Sequence, residues 1–249
     1  VNASAFVVDT REELAGLPAK AIDAAAAEAK KRGLDGKFVI PVVNTTQQGP
    51  LSTLNVRGTR EKLLSISTVR GSRGGEFDNR DIVLQLAKLR AERAELLGYS
   101  SHAAYSLEDQ TAKDTRAANK LLSDLAVPAV RNAKKEAAEI QEVIDAEKGG
   151  FKVAAYDWNY YSDKVRAAKY AFDANQLKPY FELDRVLNDG AFFAANKLWG
   201  ITFKQRKDLP VYDADVRVYD VFEENGEHLA IFVLDPYARS NKRGGAWAN

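Results

Sequence analysis

Few residues in this chain are suited to chemistry. His102 and His228 are the only histidines, they lie far apart, and cysteine is absent. A zinc site needs three or four nitrogen, sulfur or oxygen ligands brought together, commonly with two of them a short helical spacing apart. No His-x-x-x-His pair exists here, so a metal site within the chain would need both histidines plus carboxylates. His102, near a helix start in Ser100-Ser101-His102, and His228, beside a turn, read as surface or capping residues.

The carboxylates point the same way. Glu12-Glu13 and Glu223-Glu224 are adjacent pairs, and neighbouring residues diverge on a helix or a strand, so neither makes an acid/base dyad. Asp109, Asp157, Glu182 and Asp220 suit helix caps and buried hydrogen bonds. Asp220 stands out because it interrupts an otherwise apolar strand. A glycine-rich phosphate loop and a Gly-x-Ser-x-Gly elbow are both absent. Arg70 to Gly75 is a single Arg-Gly-rich loop without interleaved aromatics, and it carries no nucleic-acid signal. The aromatics Trp158, Tyr160, Tyr161, Tyr170, Tyr180, Phe181, Phe192, Phe193 and Trp199 recur near helical spacing and read as core.

One run keeps a functional reading. Gly244-Gly245-Ala246-Trp247 follows a hairpin, and its glycines let another backbone come close. As an edge strand beside a cleft, it could hold an extended peptide by main-chain pairing. The competing reading is a bend, with Trp247 filling the core.

The element that must position this run is the hairpin before it. Two apolar segments flank Asn225-Gly226, the turn dipeptide that tolerates positive φ at both positions. A two-residue loop pairs Glu224 with Glu227 and sets Tyr219 opposite Phe232, Val221 opposite Ala230 and Phe222 opposite Leu229. Both faces are then mostly apolar, which predicts cover on both sides.

The rest of the chain reads as helices. Thr10-x-x-Glu13 is a capping box, and Pro18 opens a helix that closes on Lys30-Lys31-Arg32 before Gly33. Phe38 to Pro41 is short and β-like. Helices are expected over Thr59 to Val69, Asp81 to Leu97 and Thr115 to Glu147, the last kinked or split by Pro128 and carrying the stripe Leu121, Leu122, Leu125, Val130, Ile140, Val143, Ile144. Asp157 caps another. Further helices span Gln176 to Leu187 and Gly190 to Leu198, before a strand from Ile201 to Phe203. The predicted fold is mainly α with a small antiparallel β-sheet near the C-terminus. It forms a single incomplete domain over 1–249, helical across 1–200, with the sheet and a cleft wall across 201–249.

Composition excludes several classes. Thirty-six basic and 35 acidic residues leave a net charge of +1, which argues against nucleic acid or an anionic membrane as partner. No apolar run approaches the ~18 residues of a membrane span. With no cysteine and no leader-like start, the expected location is cytoplasmic.

Several pieces together resemble the M3 family of zinc metallopeptidases, in particular its bacterial peptidyl-dipeptidases. They are Asn44-Thr45-Thr46-Gln47-Gln48, Leu96-Leu97-Gly98-Tyr99, Asp157-Trp158 with Tyr160-Tyr161, Gln176 through Leu183, and Gly244-Gly245-Ala246-Trp247. They occur in family order and cover nearly the whole chain. Ala248 stands where the family commonly has methionine, a residue this chain lacks. The resemblance implies part of a larger helical metallopeptidase whose zinc sits on a His-Glu-x-x-His helix beyond the last matching piece. It implies oligopeptide substrates cut into C-terminal dipeptides, a C-terminal catalytic remainder as partner, and Gly244, Gly245, Ala246 and Trp247 as substrate-binding residues. This chain by itself is then expected to bind no zinc, to contain no catalytic residue and to be inactive. The alternative is a non-catalytic helical protein that binds peptides or a partner.

Overall fold

A computed structural model describes residues 5–42, 48–171, 174–237 and 242. They divide into two compact units, one within residues 5–170 and one within 171–243.

The first unit opens with a strand that the sequence analysis did not anticipate. β1 (Ala5–Val8) buries Phe6 and Val8 and exposes Val7, the period-two pattern of a half-buried strand. It pairs antiparallel with β2 (Phe38–Pro41), Ala5 opposite Pro41 and Val8 opposite Phe38. The expected capping box is half formed: the Glu13 carboxylate accepts from the amides of Asp9 and Thr10, both at 3.3 Å, around a single 3-10 turn, Glu12–Leu14. α1 (Ala19–Lys31) follows Pro18 and buries Ile22, Ala25 and Ala29 along one face. α2 (Arg57–Thr68) buries Thr59, Arg60, Leu63 and Ser67, again one stripe. Leu14, Ile22, Val42, Leu54 and Leu63 meet in the core of this half, each contributing about 1.5–3 kcal/mol by burial for residues of this size.

α3 (Arg80–Leu96) ends at Gly98, which takes positive φ at 79°. Ser101 caps α4 (His102–Leu107) by accepting from the Ala104 amide at 3.1 Å. α5 (Thr115–Ala146), capped by Asp114, runs through Pro128 without a break. Of the kink or split expected at Pro128, the split does not occur, because one missing hydrogen bond is a small fraction of a 32-residue helix. Its predicted stripe is divided instead: Ile140 and Ile144 are buried, while Leu121, Leu122, Leu125 and Val130 are exposed.

α6 (Ala155–Tyr170) folds back on the second half of α5, with Ile140, Ile144 and Tyr161 at the contact and Phe151 and Trp158 beside it. The Gln141 side chain holds the connection, donating to the Phe151 carbonyl at 2.9 Å and accepting from the Val153 amide at 3.0 Å. The aromatic segment after Gly149 therefore packs against what precedes it.

In the second unit, a 3-10 stretch (Ala174–Phe181) leads to α7 (Leu183–Arg185), a π-helical stretch (Val186–Phe192) and α8 (Phe193–Trp199). The single helix expected over Gln176 to Leu187 is thus broken. Pro179 lacks an amide donor and disfavours the α-region before it. The Glu182 carboxylate then takes the amides of Asp184 and Arg185, at 3.1 and 2.8 Å, as a fresh N-cap. β3 (Thr202–Arg206), β4 (Arg217–Phe222) and β5 (His228–Leu234) form an antiparallel sheet in the order β3-β4-β5. The fold is mainly helical with a small antiparallel sheet near the C-terminus, as expected, plus the two-stranded β1–β2 sheet.

The hairpin register corrects the expectation at its tip. Tyr219 faces Phe232 and Val221 faces Ala230 as predicted, but Phe222 faces His228, leaving Leu229 as the extra residue of a bulge. Gly226 alone takes positive φ, at 87°, whereas Asn225 does not. The turn therefore runs from Glu223 to Gly226, with Glu223 rather than Glu224 bonded to Glu227. A type I′ turn needs positive φ at both central residues; with one, a three-residue loop and its bulge form instead.

Candidate functional site

The sheet of the second unit has two unlike faces. On one, the rings of Phe192 and Phe203 stack at 3.9 Å, and Tyr219 and Phe232 meet Phe192 edge-on at 5.1 and 6.1 Å. Alternation along β3, β4 and β5 brings those side chains to the same side. The other face is open at its outer strand: Ile231 is 55% and Val233 48% exposed. Cover on both faces was expected, yet the described residues leave this one partly bare.

On that open face, Asp220 joins all three strands. Its carboxylate accepts from Arg206 Nη1 on β3 at 2.9 Å and lies 3.1 Å from His228 Nε2 on β5. Arg206 also forks onto Asp208, through Nε at 2.7 Å and Nη2 at 2.5 Å. The Arg206 bond, aided by His228, holds the Asp220 carboxyl below its usual range, while partial burial opposes it. A carboxylate so engaged is a structural staple, not a base awaiting a substrate.

β3 and β5 are the two outer strands of this sheet, and among the described residues nothing pairs with the far edge of β5. An outer strand offers a row of main-chain donors and acceptors to an extended chain. At its C-terminal end the Asp235 carboxylate receives Lys242 Nζ at 2.7 Å and the Tyr212 hydroxyl at 3.0 Å. A cavity of about 430 Å³ lies along the β3–β4 connection, lined by Arg206, Lys207, Val211, Arg217 and Tyr237 among others.

Several predicted site residues are not brought together here. Gly244, Gly245, Ala246 and Trp247 lie outside the described residues, as do Asn44 to Gln47. Gln48 is described and buried, its amide donating to Ser67 Oγ at 3.1 Å. His102 lies in the first unit, 3.3 Å from Arg93 Nη2, and His228 lies in the second. Among the described residues no group of three or more His, Cys, Asp or Glu could hold a metal.

Sequence reasoning missed the most heavily built polar cluster of the first unit. Asp157 was read as a cap, and as the third residue of α6 it does accept from the Ala154 amide at 3.1 Å, but it also takes two arginines from α2. Arg57 donates from Nε at 3.1 Å and from Nη2 at 2.9 Å, and Arg60 donates from Nη2 at 2.9 Å. Arg57 lies 4.0 Å over the Phe151 ring and Arg60 4.2 Å over Tyr160. Burial pushes the Asp157 carboxyl up, but the arginine bonds outweigh it and hold it below its usual value. Two arginines three apart on a stripe that is otherwise buried were the available signal.

With this geometry in place, the comparisons with known proteins assign a class. The profile of peptidase family M3 matches residues 51–249, and the chain belongs to that family. Within it, the chain is 45% identical over 246 residues to a dipeptidyl carboxypeptidase of Salmonella typhimurium (strain LT2) and 44% identical over 242 residues to the Escherichia coli K12 protein of the same name. Oligopeptidase A of Escherichia coli K12 is 34% identical over 245 residues. These matches cover 97–99% of this chain but 36% of each relative, so the chain spans about a third of their length. No helix among the described residues is long and apolar enough to cross a membrane.

Proposed function

We propose that this chain is the scaffold and cleft-wall part of a peptidyl-dipeptidase, acting in the cytoplasm, that removes dipeptides from the C-termini of oligopeptides. The observation that carries the reading is the contrast in identity over one and the same span: 45% to a dipeptidyl carboxypeptidase against 34% to an oligopeptidase A. Its role is to position substrate. The outer strand β5 supplies a sheet edge, and the glycines that follow let a peptide approach Gly245 and Ala246 main chain to main chain. Zinc, which the family uses, does not fit the described residues, since no three ligands converge. Its ligands and the catalytic groups are assigned to the remainder of the parent protein.

The test uses the full-length enzyme and an octapeptide followed by mass spectrometry. Successive loss of C-terminal dipeptides is the expected pattern, and internal cuts would instead align the protein with the oligopeptidase group. For the wall itself, Ala246→Pro removes an amide donor while Ala246→Ser keeps it. Peptide-inhibitor affinity should drop far more in the proline variant, with circular dichroism as the folding control. Equal affinities in two folded variants would reduce the run to a bend.

A further inference from the structure

We infer that the cavity beside the β3–β4 connection is a binding site for a zwitterionic dipeptide; the choice of a dipeptide rests on the peptidyl-dipeptidase reading above, which makes such molecules the products. The cavity opens where the β3–β4 ladder ends. Arg206, the last residue of β3, faces Val218, and beyond that pair the chain leaves the sheet through residues 207–216. The connection is held by its own bonds. The Asp215 amide donates to Asp213 Oδ1 and the Val216 amide to the Asp213 carbonyl, both at 3.1 Å, and the Tyr212 hydroxyl donates to the Asp235 carboxylate at 3.0 Å. The cavity, of about 430 Å³, falls within the roughly 300–1,000 Å³ of small-molecule sites.

Charge identifies the ligand. Among the described residues the charged side chains lining the cavity are Arg206, Lys207, Asp215 and Arg217. Arg206 is neutralised by Asp208 and Asp220, at 2.5 and 2.9 Å, and Arg217 by Asp184. Lys207 and Asp215 remain, both exposed, and neither makes an ion pair among the described residues. They share one cavity without pairing with each other, which leaves one ammonium and one carboxylate for a ligand to meet. A zwitterion satisfies both, whereas a simple anion or cation meets one and is repelled by the other. The rest of the lining suits the middle of such a molecule. Leu209 and Val216 are apolar, and the Gln205 amide and Tyr237 hydroxyl, without side-chain partners among the described residues, offer donors and acceptors to a peptide unit. A single amino acid has both charges but no peptide unit.

The experiment titrates the full-length enzyme, its cleft filled with a peptide inhibitor, with alanyl-leucine by isothermal calorimetry. N-acetyl-alanyl-leucine removes the ammonium, alanyl-leucinamide removes the carboxylate, and leucine removes the peptide unit. Alanyl-leucine should bind, and each analogue should bind about tenfold more weakly. Lys207→Gln should weaken alanyl-leucine about tenfold and leave alanyl-leucinamide unaffected, while Asp215→Asn should weaken alanyl-leucine about tenfold and spare the acetylated form. No binding, or binding that neither substitution alters in variants of unchanged melting temperature, overturns the site. If a variant does not fold, equal affinity of wild type for alanyl-leucine and its two charge-blocked analogues overturns it equally. Leucine bound as tightly as alanyl-leucine overturns the dipeptide assignment. The cleavage pattern keeps the two readings apart. Dipeptides released by an enzyme that does not bind alanyl-leucine remove the site and keep the proposed activity; internal cuts by one that binds it remove the activity and keep the site.

Discussion

Asp157 and Arg60 meet at 2.9 Å with both side chains withdrawn from solvent, 0% and 1% exposed, tying α6 to α2. Arg60 also donates to the carbonyls of Leu54 and Asn55, at 2.8 and 3.2 Å, so its charge is distributed over the turn that leads into α2. Removing one member of such a pair strands the other charge in the interior.

Asp157→Ala should therefore destabilise the first unit by about 3–5 kcal/mol. Arg57→Ala should cost clearly less, because Arg57 keeps 34% of its side chain in solvent. Urea unfolding of the two variants checks the order, and equal losses would show that the buried arginine is not the principal partner.

Acid should expose the same pair. The Asp157 carboxyl is held low by Arg57 and Arg60 against the upward push of burial, and Asp220 is held low chiefly by Arg206. A depressed folded pKa stabilises the protein above the unfolded value of about 3.9 and ceases to do so as pH falls through the lower folded value. Stability should fall away below about pH 4. In an Asp157→Asn variant this acid limb should be shallower, as melting temperatures across pH 2–6 would show.

Two glycines should resist substitution for different reasons. At Gly226, φ is 87° and nothing crowds an added Cβ, so Gly226→Ala should cost only about 1–2 kcal/mol of backbone strain. At Gly16, φ is 99° and a Cβ would stand 2.0 Å from the Thr53 carbonyl oxygen, against backbone that the Ala15–Asn55 hydrogen bond holds in place. Gly16→Ala should lose well over about 3 kcal/mol, and similar melting temperatures for the two variants would contradict this.

The first half of α5 and much of α3 should make the purified chain associate. Leu121, Leu122, Leu125 and Val127 are each more than half exposed, as are Ile82, Val83, Leu84 and Leu89. Light scattering should show mass rising with concentration, and Leu121→Lys with Leu125→Lys should suppress it. A monomer at all concentrations would mean that these side chains are not sticky enough to matter.

Zinc should not bind tightly to residues 1–249. His102 and His228 belong to different units, and no ligand cluster surrounds either one among the described residues. Titration with zinc should give weak heat changes and no peptide hydrolysis. Zinc-dependent cleavage lost on His102→Ala or His228→Ala would refute this.

The sequence by itself determined what local rules govern. Ser101 and Asp114 each precede a helix and accept from its free amides, Gly33 and Gly98 take the positive φ that follows α1 and α3, and Tyr219 faces Phe232 because strand side chains alternate. The family also was legible, since its motifs are contiguous runs of residue types. Tertiary structure decided the rest. That Asp157, besides capping α6, neutralises two arginines depended on α2, about a hundred positions away in the chain, and no local spacing encodes that encounter. The hairpin tip turned on whether Asn225 would adopt positive φ, a choice the sequence leaves open and the bulge at Leu229 records. Which part of the α5 stripe is buried depended on where α6 lies, and α6 reaches Ile140 and Ile144 while Leu121 and Leu125 stay exposed. Periodicity marks a face as able to be buried, but only a partner in space buries it.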